Sequence, residues 1–133
     1  MNRLEGSIEK IRVCESLSLV TIDCLGQRLS SIIIETPKTV DYLIEKNSIQ
    51  VLFKETEVII GLGSNQSVSL QNQLPCKITS IKKGELLSAI NLDFKGMTIR
   101  SIITSNAVNQ LELKAGMEVL ALIKTNEVML AKV

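Results

Sequence analysis

A chain of 133 residues has room for one ordinary domain or two very small ones, and its 45% apolar share, mostly Ile, Leu and Val, marks a folded protein with an aliphatic core. Two Phe, one Tyr and no Trp leave few platforms for stacking single-stranded nucleic acid, and a formal charge of +1, divided as −2 over residues 1–62 and +3 over 71–133, lacks the dense Lys/Arg patch of a duplex-binding face. The absence of His removes imidazole acid–base chemistry and imidazole metal ligation, while Cys14, Cys24 and Cys76 show neither zinc-site spacing nor the density of a secreted disulfide scaffold.

The opening "MNRLEGSIEK" has no apolar signal segment, and no apolar run approaches the ~20 residues that cross a bilayer, so the expected location is the cytoplasm, with no membrane partner. Val20, Ile22 and Cys24 alternate with Thr21 and Asp23, the period of a half-buried strand. Gly26 then supplies a tight turn, and Asp23 just before it reads as a turn former rather than a catalytic acid. A strand over 28–34 follows. Thr36-Pro37 predicts the start of a short helix, since Thr accepts from the free N–H groups of a first turn and Pro lacks a donor that would go unused there. Strands at 48–54 and 57–61 complete the unit as a hairpin.

The series then repeats. Laying residues 2–61 over 72–131 without a gap gives 17 identities in 60 positions, among them Asn2/Asn72, Asp23/Asp93, Gly26/Gly96, "SII" at 31–33 and 101–103, and Lys54/Lys124. Ile90, Leu92 and Phe94 alternate with Asn91 and Asp93, a strand covers 98–104, Asn106-Ala107 opens a second short helix, and strands cover 118–124 and 127–131. Each helix is about two turns long and depends on packing through Leu43 or Leu113. Between the copies, "LGSNQSVSLQ" carries no charge and is rich in Ser, Gly, Asn and Gln, as a linker is. The expected architecture is all-β: a five-stranded OB-like barrel with one short helix over 1–62, a linker over 63–71 and a second such barrel over 72–133, each closed by its own terminal hairpin.

No nucleophile has a recognisable base beside it, so an enzyme is not expected. The cysteines read as small core hydrophobes. A strand-end lysine such as Lys54 or Lys124 is a solvated or edge-protecting charge in one reading; in the other, the repeated cations hold a small anion together with hydroxyls and backbone N–H groups. Thr125 follows Lys124, whereas Glu55 follows Lys54 and puts a negative charge where an anion would approach. "SVSLQNQL" at 67–74 gathers short hydroxyl and amide donors, which serve an anion or an ordinary polar linker equally well.

Two segments of the second copy, Ser69 to Leu74 and "VLALIKTNEVMLA" at 119–131, together resemble the S-x-R-N-Q-L and V-x-A-x-I-K-[ST]-x-x-V-M-L-A segments of the molybdate-binding Mop domain. That domain is the unit of the molbindins. It also occurs on the molybdate-responsive transcription regulator and, as the related TOBE domain, on ATP-binding subunits of oxyanion transporters. The resemblance covers 67–131 well and 2–61 more weakly, and so suggests a tandem Mop protein. It implies OB-like barrels, association as trimers, and molybdate or tungstate bound at interfaces between barrels, with no organic cofactor. Transferred by motif, the oxyanion-binding positions fall on Ser69, Gln71, Asn72, Lys124 and Thr125, with Lys54 as the first-copy counterpart of Lys124. Gln71 stands where the family has arginine, and Ala107 where it commonly has a serine. The implied function is non-catalytic binding of a tetrahedral oxyanion for storage, buffering or regulation. The alternative is a regulatory or assembly module of the same fold that has lost anion sensing or binds a protein. No basic recognition helix supports direct DNA reading.

Overall fold

The computed structural model describes residues 1–64 and 66–133; Asn65, within the expected linker, lies outside the described residues. Among the described residues, ten strands form two curled five-stranded antiparallel sheets, the tandem OB-like arrangement the repeat predicts. In chain order they are β1 (Asn2–Cys14), β2 (Leu17–Cys24), β3 (Gln27–Ile33), β4 (Ser48–Phe53), β5 (Ile59–Gly61), β6 (Asn72–Lys83), β7 (Leu87–Phe94), β8 (Met97–Thr104), β9 (Glu118–Ile123) and β10 (Met129–Lys132), with one helix, α1 (Ser105–Gln110). No helix among the described residues is long and apolar enough to cross a membrane.

Alternation in the sequence becomes alternation in space. Ser18, Val20, Ile22 and Cys24 point into the protein from β2, and Ser88, Ile90, Leu92 and Phe94 do the same from β7. The β2–β3 and β7–β8 hairpins turn on Leu25-Gly26 and Lys95-Gly96, with φ of 51° and 88° in the first pair and 49° and 89° in the second. Positive φ at both central residues is the two-residue turn whose twist suits adjacent strands, and it accounts for the repeated glycine. β1 pairs β4 through residues 2–7 and β2 through 7–14, with a register shift between Ile8 and Lys10. β6 repeats this with a shift between Ile78 and Ser80. An extra residue in one strand bends it, so one long strand serves two partners and the sheet curls.

Two expectations are corrected. The first copy has a turn where a helix was expected: the Thr36 carbonyl accepts from Thr39 N–H at 2.9 Å and Val40 N–H at 3.1 Å, and the chain then leaves helical geometry. Thr39 and Val40 are β-branched, and the Thr39 hydroxyl also accepts from Thr36 N–H at 2.8 Å, a local alternative to helix continuation. In the second copy, Thr104 caps α1 by accepting from Ala107 N–H at 3.1 Å.

The terminal hairpins do not form. β5 crosses to the second sheet, pairing Ile59, Ile60 and Gly61 with Leu122, Ala121 and Leu120, while β10 crosses to the first and pairs Met129 to Lys132 with Leu52 to Ile49. The sheet orders are β10-β4-β1-β2-β3 and β5-β9-β6-β7-β8. The connections explain the crossing, since Glu55–Glu57 and Thr125–Glu127 are 3-10 turns entered from extended Lys54 and Lys124. Neither contains the glycine or positive-φ residues that reverse a strand onto its neighbour, so the chain is redirected rather than folded back. One aliphatic core, with Phe53 and Phe94 fully buried in it, runs through both repeats.

Candidate oxyanion site at the seams between repeats

Strand exchange lays each 3-10 turn against the other repeat: Glu55–Glu57 against β8, and Thr125–Glu127 against β3. Two buried serines tie these crossings down. The Ser31 hydroxyl donates to the Val128 carbonyl at 2.6 Å, and its repeat partner Ser101 donates to the Val58 carbonyl at 2.8 Å.

Beside each serine an asparagine brackets a peptide of the other repeat. Asn72, 1% exposed, accepts from Ser30 N–H at 2.7 Å and donates through Nδ2 to the Ser30 carbonyl at 2.8 Å. Asn2, 5% exposed, treats Arg100 in the same way, with both bonds at 2.8 Å. Each asparagine needs its buried amide satisfied, and an edge-strand peptide offers a donor and an acceptor at the right spacing.

The second seam assembles much of the predicted set. Asn72 lies opposite Ile123, the residue before Lys124, so Asn72, Lys124 and Thr125 meet near Ser30. Lys124 is exposed and forms no ion pair among the described residues; Thr125 is half-buried. One of the two N–H bonds on Asn72 Nδ2 goes to Ser30, which leaves the second uncommitted by that pairing. The second seam thus sets a lysine and a hydroxyl residue beside a buried amide where two repeats meet, residue types suited to a small anion.

Ser69 and Gln71 are exposed on the approach to β6 and make no side-chain hydrogen bond among the described residues. Their segment is shaped by Gln73, one of the amides of the 67–74 stretch. Its Oε1 accepts from Gln66 N–H at 3.0 Å, and its Nε2 donates to the Gln66 carbonyl at 3.0 Å and the Leu70 carbonyl at 2.9 Å. Ser30, Ser31, Ser101 and Arg100 were not singled out in the sequence; the "SII" identity was visible, but its contact with the other repeat was not.

The first seam is chemically different. Lys54 is exposed, and its neighbour Glu55, half-buried, pairs with the amino group of Met1. Hydrogen bonding from that ammonium, then from the Glu55 backbone N–H, holds the Glu55 carboxyl below its usual range; the positive charge of Arg100 adds to this.

A groove of about 600 Å³ beyond the end of β5 is lined by Cys76, Lys77, Asp93, Lys95 and Glu118, a mixture of both charges. Burial raises the Cys76 thiol to about 12 and the Cys24 thiol to about 11, helped by Asp93 and Asp23, so neither is a thiolate near neutral pH. Among the described residues no cluster of three or more His, Cys, Asp or Glu is placed to hold a metal ion.

Residues 68–130 match the TOBE domain family. Molybdenum-pterin-binding protein 1 of Clostridium pasteurianum is 38% identical over 65 residues, which make up 48% of this chain and 96% of that protein. The molybdenum import ATP-binding protein ModC of Brucella abortus is 31% identical over 77 residues, 57% of this chain and 21% of that one. A solved structure of the cytoplasmic molybdate-binding protein ModG, with molybdate bound, covers 97% of this chain and 94% of its own with a TM-score of 0.87. At 23% identity that likeness shows a shared tandem fold.

Proposed function

Because the chain belongs to the family of Mop-type molybdenum-pterin-binding proteins and carries their unit twice, we propose that it binds molybdate without catalysis, for storage, buffering or regulation of the anion inside the cell. The observation that supports this reading is that Lys124 and Thr125 follow Ile123, the strand partner of Asn72, where Asn72 brackets the Ser30 peptide of the other repeat. A tetrahedral dianion presents four oxygens and needs several fixed donors more than one strong cation. Lysine supplies charge, Thr125 supplies a hydroxyl, and the Asn72 amide, locked against the Ser30 peptide, adds a preorganised donor. Tungstate has the same shape and charge and is expected to compete for the same donors. Ser69 and Gln71 approach from the linker side, and no organic cofactor is required.

The working form is a homotrimer. Leu17, Ile32 and Ile34 of the first repeat and Leu86 and Leu87 of the second are exposed at 44%, 41%, 78%, 79% and 57%, apolar surface that a cyclic assembly covers. Equilibrium dialysis read out by metal analysis tests the binding, and light scattering tests the assembly. Retention of molybdate at micromolar free anion and three times the 14.6 kDa chain mass are expected. Failure to retain either molybdate or tungstate would remove the function and leave the fold untouched.

A further inference from the structure

The two seams are the same construction related by an offset of 70 residues, yet two positions differ in charge. Asn2 corresponds to Asn72, Lys54 to Lys124, and the serine bonds to Val58 and Val128 match. Ser30 of the second seam, however, is replaced in the first by Arg100, and Thr125 by Glu55. At these positions the second seam carries one cation and two neutral residues, whereas the first carries two cations and a carboxylate.

That carboxylate sits where the crossing chain turns against β8, so it occupies the place of the Thr125 hydroxyl. It pairs with the Met1 amino group and lies in the field of Arg100. An incoming oxyanion would meet the Glu55 carboxylate at close range, already paired with the Met1 ammonium and in the field of Arg100. Resting on the oxyanion-binding reading of the second seam, we infer that Glu55 is a built-in anion that closes the first seam to oxyanions, so that the two equivalent positions of one chain are unequal.

The consequence is a count. Glu55→Thr gives the first seam the hydroxyl found in the second, and Glu55→Gln removes the charge while keeping the shape. Thr125→Glu imposes the closure on the open seam. Molybdate bound per chain is measured by equilibrium dialysis on the full chain, with the wild type and these three variants side by side.

Glu55→Thr and Glu55→Gln are each expected to retain one more molybdate per chain than the wild type, and Thr125→Glu one fewer. If the wild type binds and neither Glu55 variant gains a site, the closure is wrong while the oxyanion reading stands. If the wild type retains nothing but Glu55→Thr retains one per chain, the closure stands and the native binding function falls. No retention by any of the four proteins overturns both. The Gln variant guards against a Thr variant that folds poorly, because it changes charge alone.

Discussion

Asn72 holds the peptide of Ser30 from both sides, accepting its N–H at 2.7 Å and donating to its carbonyl at 2.8 Å, across 42 residues of sequence and from one repeat to the other. Replacing Asn72 by Ala removes two part-buried hydrogen bonds and leaves a donor and an acceptor without partners. Each orphaned group costs about 1–3 kcal/mol when buried, and half-buried Ser30 stays within reach of water, which favours the lower part of that range, so Asn72→Ala is expected to lose roughly 2–4 kcal/mol of stability. Urea denaturation checks this through the midpoint at unchanged slope. An unshifted midpoint would mean the bracket contributes nothing, whatever its geometry.

Lys124 is expected to behave in the opposite manner. It is exposed and unpaired among the described residues, so Lys124→Ala should leave stability within about 0.5 kcal/mol of the wild type. A hydrogen bond to a charged partner is worth about 1.5–3 kcal/mol, which corresponds to roughly a 10- to 150-fold loss of molybdate affinity. Lys54→Ala, at the seam occupied by Glu55, is expected to leave that affinity unchanged. Titration calorimetry on both variants separates the two lysines, and equal losses would argue against unequal seams.

The repeat was legible because its markers are side chains with narrow conformational roles. Gly26 and Gly96 mark positive-φ turns, and the alternation in 20–24 and 90–94 marks strands with one buried face. The exchange of β5 and β10 was not legible. A period of two tells which face of a strand is buried but not which sheet it joins, and "EVII" and "EVML" fit either edge. At the seam, Lys124, Thr125 and Asn72 were singled out by the repeat, the polar 67–74 stretch and the family resemblance, whereas the Ser30 contact runs through its main chain, which no residue letter reports. The missing first-copy helix turned on Thr39 and Val40, whose local preferences overrode the match to the second copy.

The three thiols should divide by burial. Cys14 is exposed, whereas Cys24 and Cys76 are 0% and 6% exposed, so one thiol per folded chain is expected to react with an aromatic disulfide reagent at pH 8, and three after unfolding. Burial also predicts a pH dependence. Both folded thiols titrate above the ordinary 9.0, Cys24 at about 11 and Cys76 at about 12. The unfolded chain therefore loses these protons first, and the stability their burial contributes is intact below pH 9 and falls as pH rises towards 11–12. Urea midpoints at pH 8 and pH 10 measure the fall, which a Cys24→Ala, Cys76→Ala double variant should reduce.

Strand exchange makes a prediction about the second repeat on its own. In the full chain, β9 is covered at Leu120 to Leu122 by β5, a strand that residues 66–133 do not contain, while β10 of that segment has its partner β4 in the other repeat. Isolated, the segment would present an uncovered hydrophobic edge at β9 and an unpaired strand at β10. Such an edge pairs with any strand that fits, and β10 is the repeat equivalent of β5. Two copies of 66–133 can each lay β10 on the β9 of the other, restoring both edges and closing the pair with no strand left over. Light scattering is therefore expected to give at least twice the mass of one segment, with the β content of the full chain retained by circular dichroism. Deleting 129–133 from the segment removes the strand that would cross and should leave it aggregated or unfolded. A folded monomer of residues 66–133 would show that the exchange is dispensable for closing the second sheet, and would remove the physical reason for assigning the seam residues to a surface that two repeats must build together.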